Sequence, residues 1–516
     1  MNPVRDAAEA REACRLLSAL LDARGAWLVR EGRDGRASEL RRGEWELRVA
    51  GGALVFTCRG EAGARVWRVR AWRVEGEALV LEVSGRVGAR RASLWLVPRA
   101  TVASARAVVA DARRAECERL AALVCREAGG RLERATLSAG ARRGEPGRWA
   151  RVLFRRGVGV RVAATAPVVP AGAEDAEGFL ASALLWLARL DEGARDGASV
   201  GALWLVAPPA LAAALRERVP LLRAGLRALV KVYELDGEGV LTHARAPTLD
   251  ELLEAPAQRL SRPPRAAPQV LSELAASVIA LAPGEIDCVR AHKGETLRYL
   301  GLPFARVRRV AGREHLWFGV EARGRRPLSV EDDAEVFAKL LAELVAHRRA
   351  DAADRRHALY RAAPEAWLEA LLRRDVTRLD PGLRLAPLHA QFRATRAVGD
   401  GAARPVDLLA LRRDGRLVVV ELKVSEDAAL ALQGADYWRR VELQRRQGNI
   451  ARARIFGDAE ISDEPPLVYL AAPMLRFHRS FHTLARTLSP EIETYRFDLN
   501  EDWRAGVRVT RRSRVV

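Results

Sequence analysis

The sequence predicts a multidomain α/β protein, and three observations support this fold class. The chain has 516 residues, which corresponds to about three or four domains at roughly 150 residues per domain. Hydrophobic residues make up 49% and charged residues 29% of the sequence, as in globular rather than disordered chains. Strand-like apolar runs alternate with helix-like stretches over much of the chain. We therefore expect several sheets with helices packed against them.

The composition excludes several classes of protein. The five cysteines are scattered and include no C-x-x-C pair, so neither a disulfide framework nor a thiolate zinc site is expected. The longest uncharged stretch, 197–215, is interrupted by Gly201, Pro208 and Pro209, which favours strand, turn and helix over a membrane span. The first residues contain no apolar signal core. We expect a soluble, cytoplasmic protein without a membrane partner.

The charge is strongly positive but is by itself a weak indicator of function. The formal net charge is +20, which favours a polyanionic partner such as nucleic acid. However, only Lys231, Lys293, Lys339 and Lys423 are lysines, and every other basic residue is arginine. This bias, together with abundant alanine, is also expected of a GC-rich genome. A position that requires an ammonium group should therefore stand out as a lysine.

Residues 1–105 are predicted to form an N-terminal helix followed by a small β-rich domain. The helix is expected at about 8–22. Short runs such as 45–49, 66–72 and 78–83 alternate apolar and polar residues between glycine-containing turns, which is typical of strands. No pattern in this region indicates a chemical function.

Residues 106–245 predict an α/β module, and residues 246–350 predict a proline-rich linker and a small α+β unit. The expected elements of the module are strands at 149–154 and 158–164, a helix at 179–190, a strand at 202–206, a helical stretch at 211–226 and a strand at 230–235. Five prolines between 247 and 268 indicate the linker. The small unit is expected to contain strands at 296–308 and 315–321 and a helix at 331–347.

Two parts of the sequence resemble each other. The run LWLVAP at 203–208 is similar to LVYLAAP at 467–473, and each is followed by a helix and a further strand. Upstream of these strands, ALLW at 183–186 matches ADYW at 435–438. This self-similarity predicts two copies of one α/β module, at about 110–240 and 360–500. A chance likeness between Ala/Leu-rich segments is the alternative, because short apolar runs are ambiguous.

The last domain, 351–516, contains the strongest indication of chemistry. An Asp-Gly pair separates two apolar runs within 405–424, which predicts a β-hairpin. A two-residue loop would place Asp407 opposite Leu422, whereas a three-residue loop would place it opposite Glu421. We expect the three-residue loop, because Gly415 can adopt the left-handed conformation that closes a type I turn.

In this register two acids and a lysine converge on one face of the sheet. Asp407 and Glu421 would approach within about 5.5 Å at their Cβ atoms, and Lys423 would point to the same face while Leu422 points into the core. Converging carboxylates raise each other's pKa, which a divalent cation relieves. Oxygen ligands suit Mg²⁺, and a lysine beside the metal can hold or deprotonate a water molecule. The alternative is a structural ion cluster, although this chain otherwise uses arginine for such pairs.

These residues resemble the PD-(D/E)xK nuclease superfamily. Asp407 is followed by thirteen residues and then by Glu421-Leu422-Lys423. The resemblance is closest to the RecB-like and mismatch-endonuclease-like branches, whose signature continues with Q-x-x-x-Y on a helix. Gln433 and Tyr437 match that pattern and are four residues apart on one helix face. The similarity covers about 360–500 and implies a restriction-endonuclease-like core, with a mixed central sheet flanked by helices.

The resemblance implies a nuclease, in particular an endonuclease, with Mg²⁺ or Mn²⁺ as cofactor and nucleic acid, above all DNA, as partner. The implied metal ligands are Asp407, Glu421, the carbonyl group of Leu422 and one helix acid, Glu365 or Glu369. The implied catalytic residues are Asp407, Glu421, Lys423, Gln433 and Tyr437, of which Lys423 positions the attacking water. A homodimer, or protein partners in DNA repair, recombination or defence, would fit the same resemblance.

The upstream copy lacks this set of residues. The counterparts of Asp407, Glu421 and Lys423 fall near 150–151 and 163–165, where the sequence has no acid pair and no lysine. We therefore expect a degenerate module at 106–245 that keeps the fold without the metal site. A non-catalytic nucleic-acid-binding or scaffold protein remains the alternative for the whole chain, and RNA remains open as a substrate.

Overall fold

The computed structural model forms two compact units, Met1–Gly159 with Ala164–Pro170, and Val160–Ala163 with Ala171–Val516. The residues that it describes are 2–32, 37–60, 63–85, 91–99, 102–140, 145–157, 159–193, 199–256, 260, 271–291, 294–310, 312–320, 326–327, 331–394 and 404–516. Five-, six- and eight-stranded sheets combine with helices, so the chain is an α/β multidomain protein as the sequence predicts.

The first unit begins with a β-rich part, as predicted. Its elements are β1 (Asn2–Pro3), α1 (Ala7–Asp22), β2 (Ala26–Glu31), β3 (Ser38–Arg41), β4 (Trp45–Ala50), β5 (Ala53–Gly60), β6 (Gly63–Glu75), β7 (Ala78–Gly85), β8 (Arg91–Pro98), α2 (Val102–Ala128), β9 (Gly130–Ala139) and β10 (Pro146–Arg156). The Asp6 carboxylate caps α1 by accepting hydrogen bonds from the Ala8 and Glu9 amides. The apolar face of α1, with Leu17 and Leu21, packs on the sheet beside Phe56.

The next strand, β11 (Val160–Pro167), is divided between the units. The remaining elements of the second unit are α3 (Ala176–Glu192), β12 (Val200–Ala207), α4 (Pro209–Arg218), α5 (Ala224–Leu229), β13 (Val230–Leu235), β14 (Leu241–His243), α6 (Leu249–Glu254), α7 (Glu273–Ala280), β15 (Ile286–Ala291), β16 (Gly294–Tyr299), β17 (Leu302–Val310), β18 (Arg313–Phe318), β19 (Arg326–Pro327), α8 (Glu331–His347), α9 (Ala358–Arg361), α10 (Pro364–Arg374), β20 (His389–Phe392), β21 (Val406–Leu411), β22 (Leu417–Leu422), α11 (Leu430–Arg446), α12 (Asn449–Ala453), β23 (Leu467–Pro473), α13 (Phe481–Ala485), β24 (Thr494–Leu499) and β25 (Val509–Arg514). Short 3₁₀ turns occupy Ala173–Asp175, Val219–Leu221, Val376–Arg378 and Met474–Arg476.

A mixed sheet organises the C-terminal part of the second unit. Strands β20 to β25 lie side by side in chain order. The pairs β20/β21, β21/β22 and β24/β25 are antiparallel, whereas β22/β23 and β23/β24 are parallel. The parallel pairs are separated by helical crossovers, which is the connection that parallel strands require. This arrangement agrees with the predicted mixed central sheet.

Both faces of the central strands β21, β22 and β23 are covered, which explains their almost uninterrupted apolar sequence. On one face, Leu408 and Val420 join an apolar core that also includes Phe304 of the antiparallel sheet β15–β19. On the other face, Leu409 and Val419 pack with other apolar residues, including Tyr437 of α11. The sheet is therefore held rigidly between two layers, which fixes the position of any side chain at the strand ends.

The four predicted domain ranges, 1–105, 106–245, 246–350 and 351–516, stay predictions. Three of the five prolines in the expected linker lie in 261–270, outside the described residues. Among the helices that the structure describes, none is both long and apolar enough to cross a bilayer.

Candidate active site

The β21–β22 hairpin adopts the three-residue loop that the sequence predicts. The Arg412 amide donates to the Arg416 carbonyl over 2.9 Å, and the Gly415 amide donates to the Arg412 carbonyl over 3.1 Å. Gly415 has φ +83°, and a Cβ atom there would lie only 2.8 Å from the Glu460 carbonyl oxygen. Glycine is required at this position because the backbone is left-handed and because there is no space for a side chain.

This loop sets the register of the two strands and brings the acids together. Leu408 pairs with Val420, so the preceding Asp407 falls beside Glu421 on the face that carries α11. The Asp407 carboxylate accepts a hydrogen bond from the Leu422 amide over 2.8 Å. The Lys423 ammonium group donates to Glu421 over 2.7 Å. The predicted convergence of Asp407, Glu421 and Lys423 is therefore present in the structure.

Burial makes this cluster electrostatically unusual. Glu421 is only 1% exposed, and burial followed by repulsion from Asp407 raises the pKa of its carboxyl group well above the ordinary value. Burial likewise raises the pKa of Asp407. For Lys423, burial alone would lower the pKa, but the attraction of Glu421 and Asp407 raises it on balance. A divalent cation bound beside these carboxylates would relieve their repulsion and favour their ionised forms.

Of the two helix acids, the structure brings Glu369 to the site. The Gln391 side-chain amide donates to Glu369 over 2.8 Å and to Asp407 over 3.4 Å, and thereby links the two carboxylates. Gln391 has φ +52°, a strained conformation for a residue with a side chain. Glu365 instead accepts a hydrogen bond from Ser425 over 3.5 Å. The described geometry therefore favours Glu369 as the fourth group of the site.

Glu369 is also contacted by an arginine that no sequence motif indicates. Arg298 of β16 is buried and lies 3.4 Å from Glu369, and it also forms a pair of hydrogen bonds with Asp287. Burial raises the pKa of Glu369, although Gln391 and Arg298 oppose that shift. Seventy-one positions separate Arg298 and Glu369 in the chain, so no local pattern could have revealed this contact.

Helix α11 covers the site from one side. Gly434 lets the helix approach β23 closely, since a Cβ atom there would lie 2.7 Å from a Leu470 methyl group. Tyr437 is buried, and burial followed by repulsion from Glu421 and Asp407 raises the pKa of its hydroxyl group. Gln433 donates to Asp427 over 3.1 Å, while its side-chain oxygen is buried without a hydrogen-bond partner. Tyr437 therefore lies close enough to the acids to interact with their charge, whereas the described hydrogen bond of Gln433 is to Asp427.

The site offers two carboxylates, which is enough for Mg²⁺ but not for a metal ion that is bound by protein ligands alone. Among the described residues, no group of three or more histidine, cysteine or acidic side chains is arranged to hold a metal ion. Mg²⁺, however, commonly takes only one or two carboxylates and keeps water or phosphate oxygens as its other ligands. Asp407 and Glu421 supply those carboxylates, and Glu421 has a buried oxygen, Oε2, without a hydrogen-bond partner. These observations agree with a divalent ion that takes two carboxylates from the protein and its other ligands from water or phosphate.

The buried Glu421 carboxyl group should make stability depend on pH when no metal is present. An unfolded glutamate ionises near about pH 4.3, whereas the pKa of Glu421 is raised in the folded protein. Between those values the folded state retains a proton that the unfolded state has lost, so stability falls as pH rises. We expect the melting temperature of Glu421→Gln, relative to the parent in chelator, to improve as the pH rises above about 4.3, where the unfolded glutamate loses its proton. A difference that stays constant across this range would contradict the prediction, and Glu365→Gln is the control.

Comparison with known proteins adds little to this geometry. No protein-family model matches the chain, and no curated protein matches it. Among solved structures, the chain is similar to one titled "Structure of EndoMS in apo form", with 21% identity over 38% of this chain and 84% of that chain. The TM-score is 0.14, and we therefore base no argument on this similarity.

Proposed function

We propose that the protein is a divalent-metal-dependent nuclease that hydrolyses phosphodiester bonds in DNA. The observation that carries the proposal is the convergence of Asp407, Glu421 and Lys423 at the end of a buried hairpin, with the Lys423 ammonium group 2.7 Å from Glu421. A buried acid pair is costly to the fold, and a cation-binding role explains why the chain retains it. The resemblance of these residues to PD-(D/E)xK nucleases supports the same activity.

The family resemblance, together with the described contacts, assigns a role to each residue. Asp407, Glu421 and the Leu422 carbonyl would hold Mg²⁺ or Mn²⁺. Glu369 would add a further carboxylate, which Gln391 links to Asp407 by hydrogen bonds. The metal, when bound, supplies Lewis-acid activation of the phosphate and lowers the pKa of a bound water. Lys423 holds the attacking water and balances the negative charge that develops on the phosphate. Gln433 and Tyr437 orient these groups from α11.

Cleavage should depend on a divalent cation and on Asp407. We expect the full chain to cut at least one member of a panel of end-labelled single-stranded, duplex, mismatched and branched DNA in Mg²⁺ or Mn²⁺. Chelator should abolish the products, because the acids then lack the ion that compensates their charge. Asp407→Asn is nearly isosteric and should remove cleavage while leaving the circular dichroism spectrum unchanged.

The same panel tests the competing interpretation. Tight, salt-sensitive DNA binding without products in any divalent cation would identify a non-catalytic binding protein instead. Cleavage confined to matching RNA substrates would contradict the choice of DNA. Equal cleavage by Asp407→Asn and the parent would show that the nuclease activity does not come from this site.

The two helix acids should differ in importance. We expect Glu369→Gln to reduce cleavage or raise the required Mg²⁺ concentration by about 10–100-fold, the range for groups that orient metal ligands. Glu365→Gln should change either quantity by less than about threefold, because Glu365 contacts Ser425 rather than Gln391. Initial rates over a Mg²⁺ titration measure both effects. A larger loss in Glu365→Gln would reverse the assignment.

A further inference from the structure

The second unit contains two strand sets with the same pairing. In the first set, β12 is parallel to β13, which is antiparallel to β14. In the second set, β23 is parallel to β24, which is antiparallel to β25. In each set a helix, α3 or α11, precedes the first strand, and a helical connection joins the parallel pair. The internal repeat suggested by the sequence therefore has a matching topology.

The aromatic contacts of the two sets also correspond. Trp204 of β12 packs against Tyr233 of β13 with ring centroids 4.3 Å apart. Tyr469 of β23 packs against Phe497 of β24 with centroids 4.5 Å apart. In both sets the ring planes are tilted rather than stacked, at 31° and 41°. An aromatic pair between the equivalent two strands of each set argues against a chance likeness of apolar runs.

The two copies pair with each other through equivalent segments. Leu222, in the connection between β12 and β13, forms an antiparallel bridge with Leu488, in the connection between β23 and β24. The amide after Leu222 donates to the carbonyl before Leu488, and the amide after Leu488 donates to the carbonyl before Leu222, both over 2.8 Å. Every antiparallel bridge has this reciprocal pattern, but here the two bridged residues also lie in equivalent connections of the two copies, as a two-fold, isologous interface requires.

The helices and charges strengthen this internal interface. Helix α3 packs on α11 and α13, and α11 packs on the 3₁₀ turn Val219–Leu221 that precedes Leu222. Arg218 of the first copy is buried and lies 3.4 Å from Asp436 of the second. Burial alone would raise the pKa of Asp436, but Arg218 and neighbouring arginines lower it well below its ordinary range. The interface therefore combines packed helices with a buried pair of opposite charges.

Only one copy carries the acid pair and lysine. The counterparts of the catalytic strand positions in the first copy are buried alanines and a threonine, including Ala150, Ala163 and Thr165. The Thr165 hydroxyl group donates to the Ala150 carbonyl over 2.8 Å. These positions therefore offer no carboxylate for a cation.

We propose that the chain is an intramolecular pseudo-dimer with one competent centre, and that it therefore nicks one strand of duplex DNA in each binding event. The strands of a duplex are related by local two-fold axes, so a two-fold protein presents one module to each strand. The copy with Asp407 can cut its strand, whereas the other copy lacks the acid pair and lysine that cutting a second strand would need. This inference rests on the proposed nuclease function.

The experiment uses the full chain, supercoiled plasmid DNA and Mn²⁺ or Mg²⁺, with the products separated on an agarose gel. Nicked circles should accumulate first, linear DNA should appear only through later independent cuts, and the rate should be first order in protein. Linear DNA that forms without a nicked intermediate would overturn the single-strand inference while leaving the nuclease proposal intact. No cleavage of plasmid or of the DNA panel would refute the nuclease proposal and the nicking inference with it.

Two measurements test the internal pair independently of cleavage. Light scattering should give the monomer mass of 56.7 kDa, because the two-fold partner is already present in the chain. Leu222 and Leu488 form the non-hydrogen-bonded type of antiparallel pair, whose Cα atoms lie about 4.5 Å apart and can accept a disulfide. Leu222→Cys/Leu488→Cys should therefore gain an internal cross-link that neither single variant forms. A stable dimer in solution, or no cross-link in the folded double variant, would overturn the pseudo-dimer.

Discussion

Replacing Lys423 by methionine is expected to reduce DNA cleavage by about 10²–10⁴-fold, the usual range for loss of a positioned proton-transfer or charge-stabilising group. Methionine retains the length of the side chain but removes the ammonium group, which lies 2.7 Å from Glu421. The attacking water then loses the ammonium group that positions it, and the negative charge that develops on the phosphate is no longer balanced by that group. Initial rates with labelled DNA in saturating Mg²⁺ measure the loss.

A matched lysine makes this prediction specific to the site. Lys339 lies in α8 with an exposed side chain, so Lys339→Met makes the same chemical change away from the acids and should leave the rate unchanged. Lys423→Arg should recover little activity, because a planar guanidinium group does not reproduce a compact ammonium group. Full activity in Lys423→Met would remove this residue from the proposed mechanism.

Replacing Arg348 by methionine is expected to produce the largest loss of stability, about 3 kcal/mol or more, because buried carbonyl groups would lose their donor. Arg348 is 0% exposed. Its guanidinium group donates to carbonyl groups in two segments, Tyr299–Leu300 and 359–363, and lies over the Trp367 ring at 4.7 Å. It therefore joins the end of β16 to the start of α10, which carries Glu369.

The neighbouring arginine provides the control for this second prediction. Arg349 forms an exposed ion pair with Asp351, and such pairs contribute little to stability. Arg349→Met should therefore unfold in urea close to the parent midpoint, whereas Arg348→Met should unfold much earlier. If the midpoints of both variants lie within error of the parent, the Arg348 contacts do not hold these segments together. Reduced Mg²⁺ affinity in folded Arg348→Met would further link this arginine to the position of Glu369.

Local chemistry made the central hairpin predictable. The Asp-Gly pair and its apolar flanks indicated a turn, and the left-handed preference of glycine selected the loop that the structure has at Gly415, with φ +83°. Because side chains alternate along a strand, the choice of loop was enough to place Asp407 and Glu421 on one face. The likeness between the two modules was also visible as short matching runs, and the pairings of β12–β14 and β23–β25 agree with it.

Other features depended on contacts between residues that are distant in the chain. Glu365 and Glu369 lie on the same helix, and the sequence offered no way to choose between them. The choice depends on the strained backbone at Gln391, which directs an amide to Glu369 and Asp407, and on Arg298 from another sheet. The reciprocal bridge between Leu222 and Leu488 was equally hidden, because an isolated strand segment does not specify its partner.

The sequence by itself determined the mixed α/β character, the hairpin register and the grouping of Asp407, Glu421 and Lys423, because turn geometry and strand alternation act over only a few residues. Tertiary structure decided which helix acid joins them, how deeply the carboxylates are buried, and which distant segments pair, such as those that contain Leu222 and Leu488. Those properties arise when distant segments exclude water from the same space, since burial changes the strength of every charge and hydrogen bond within it.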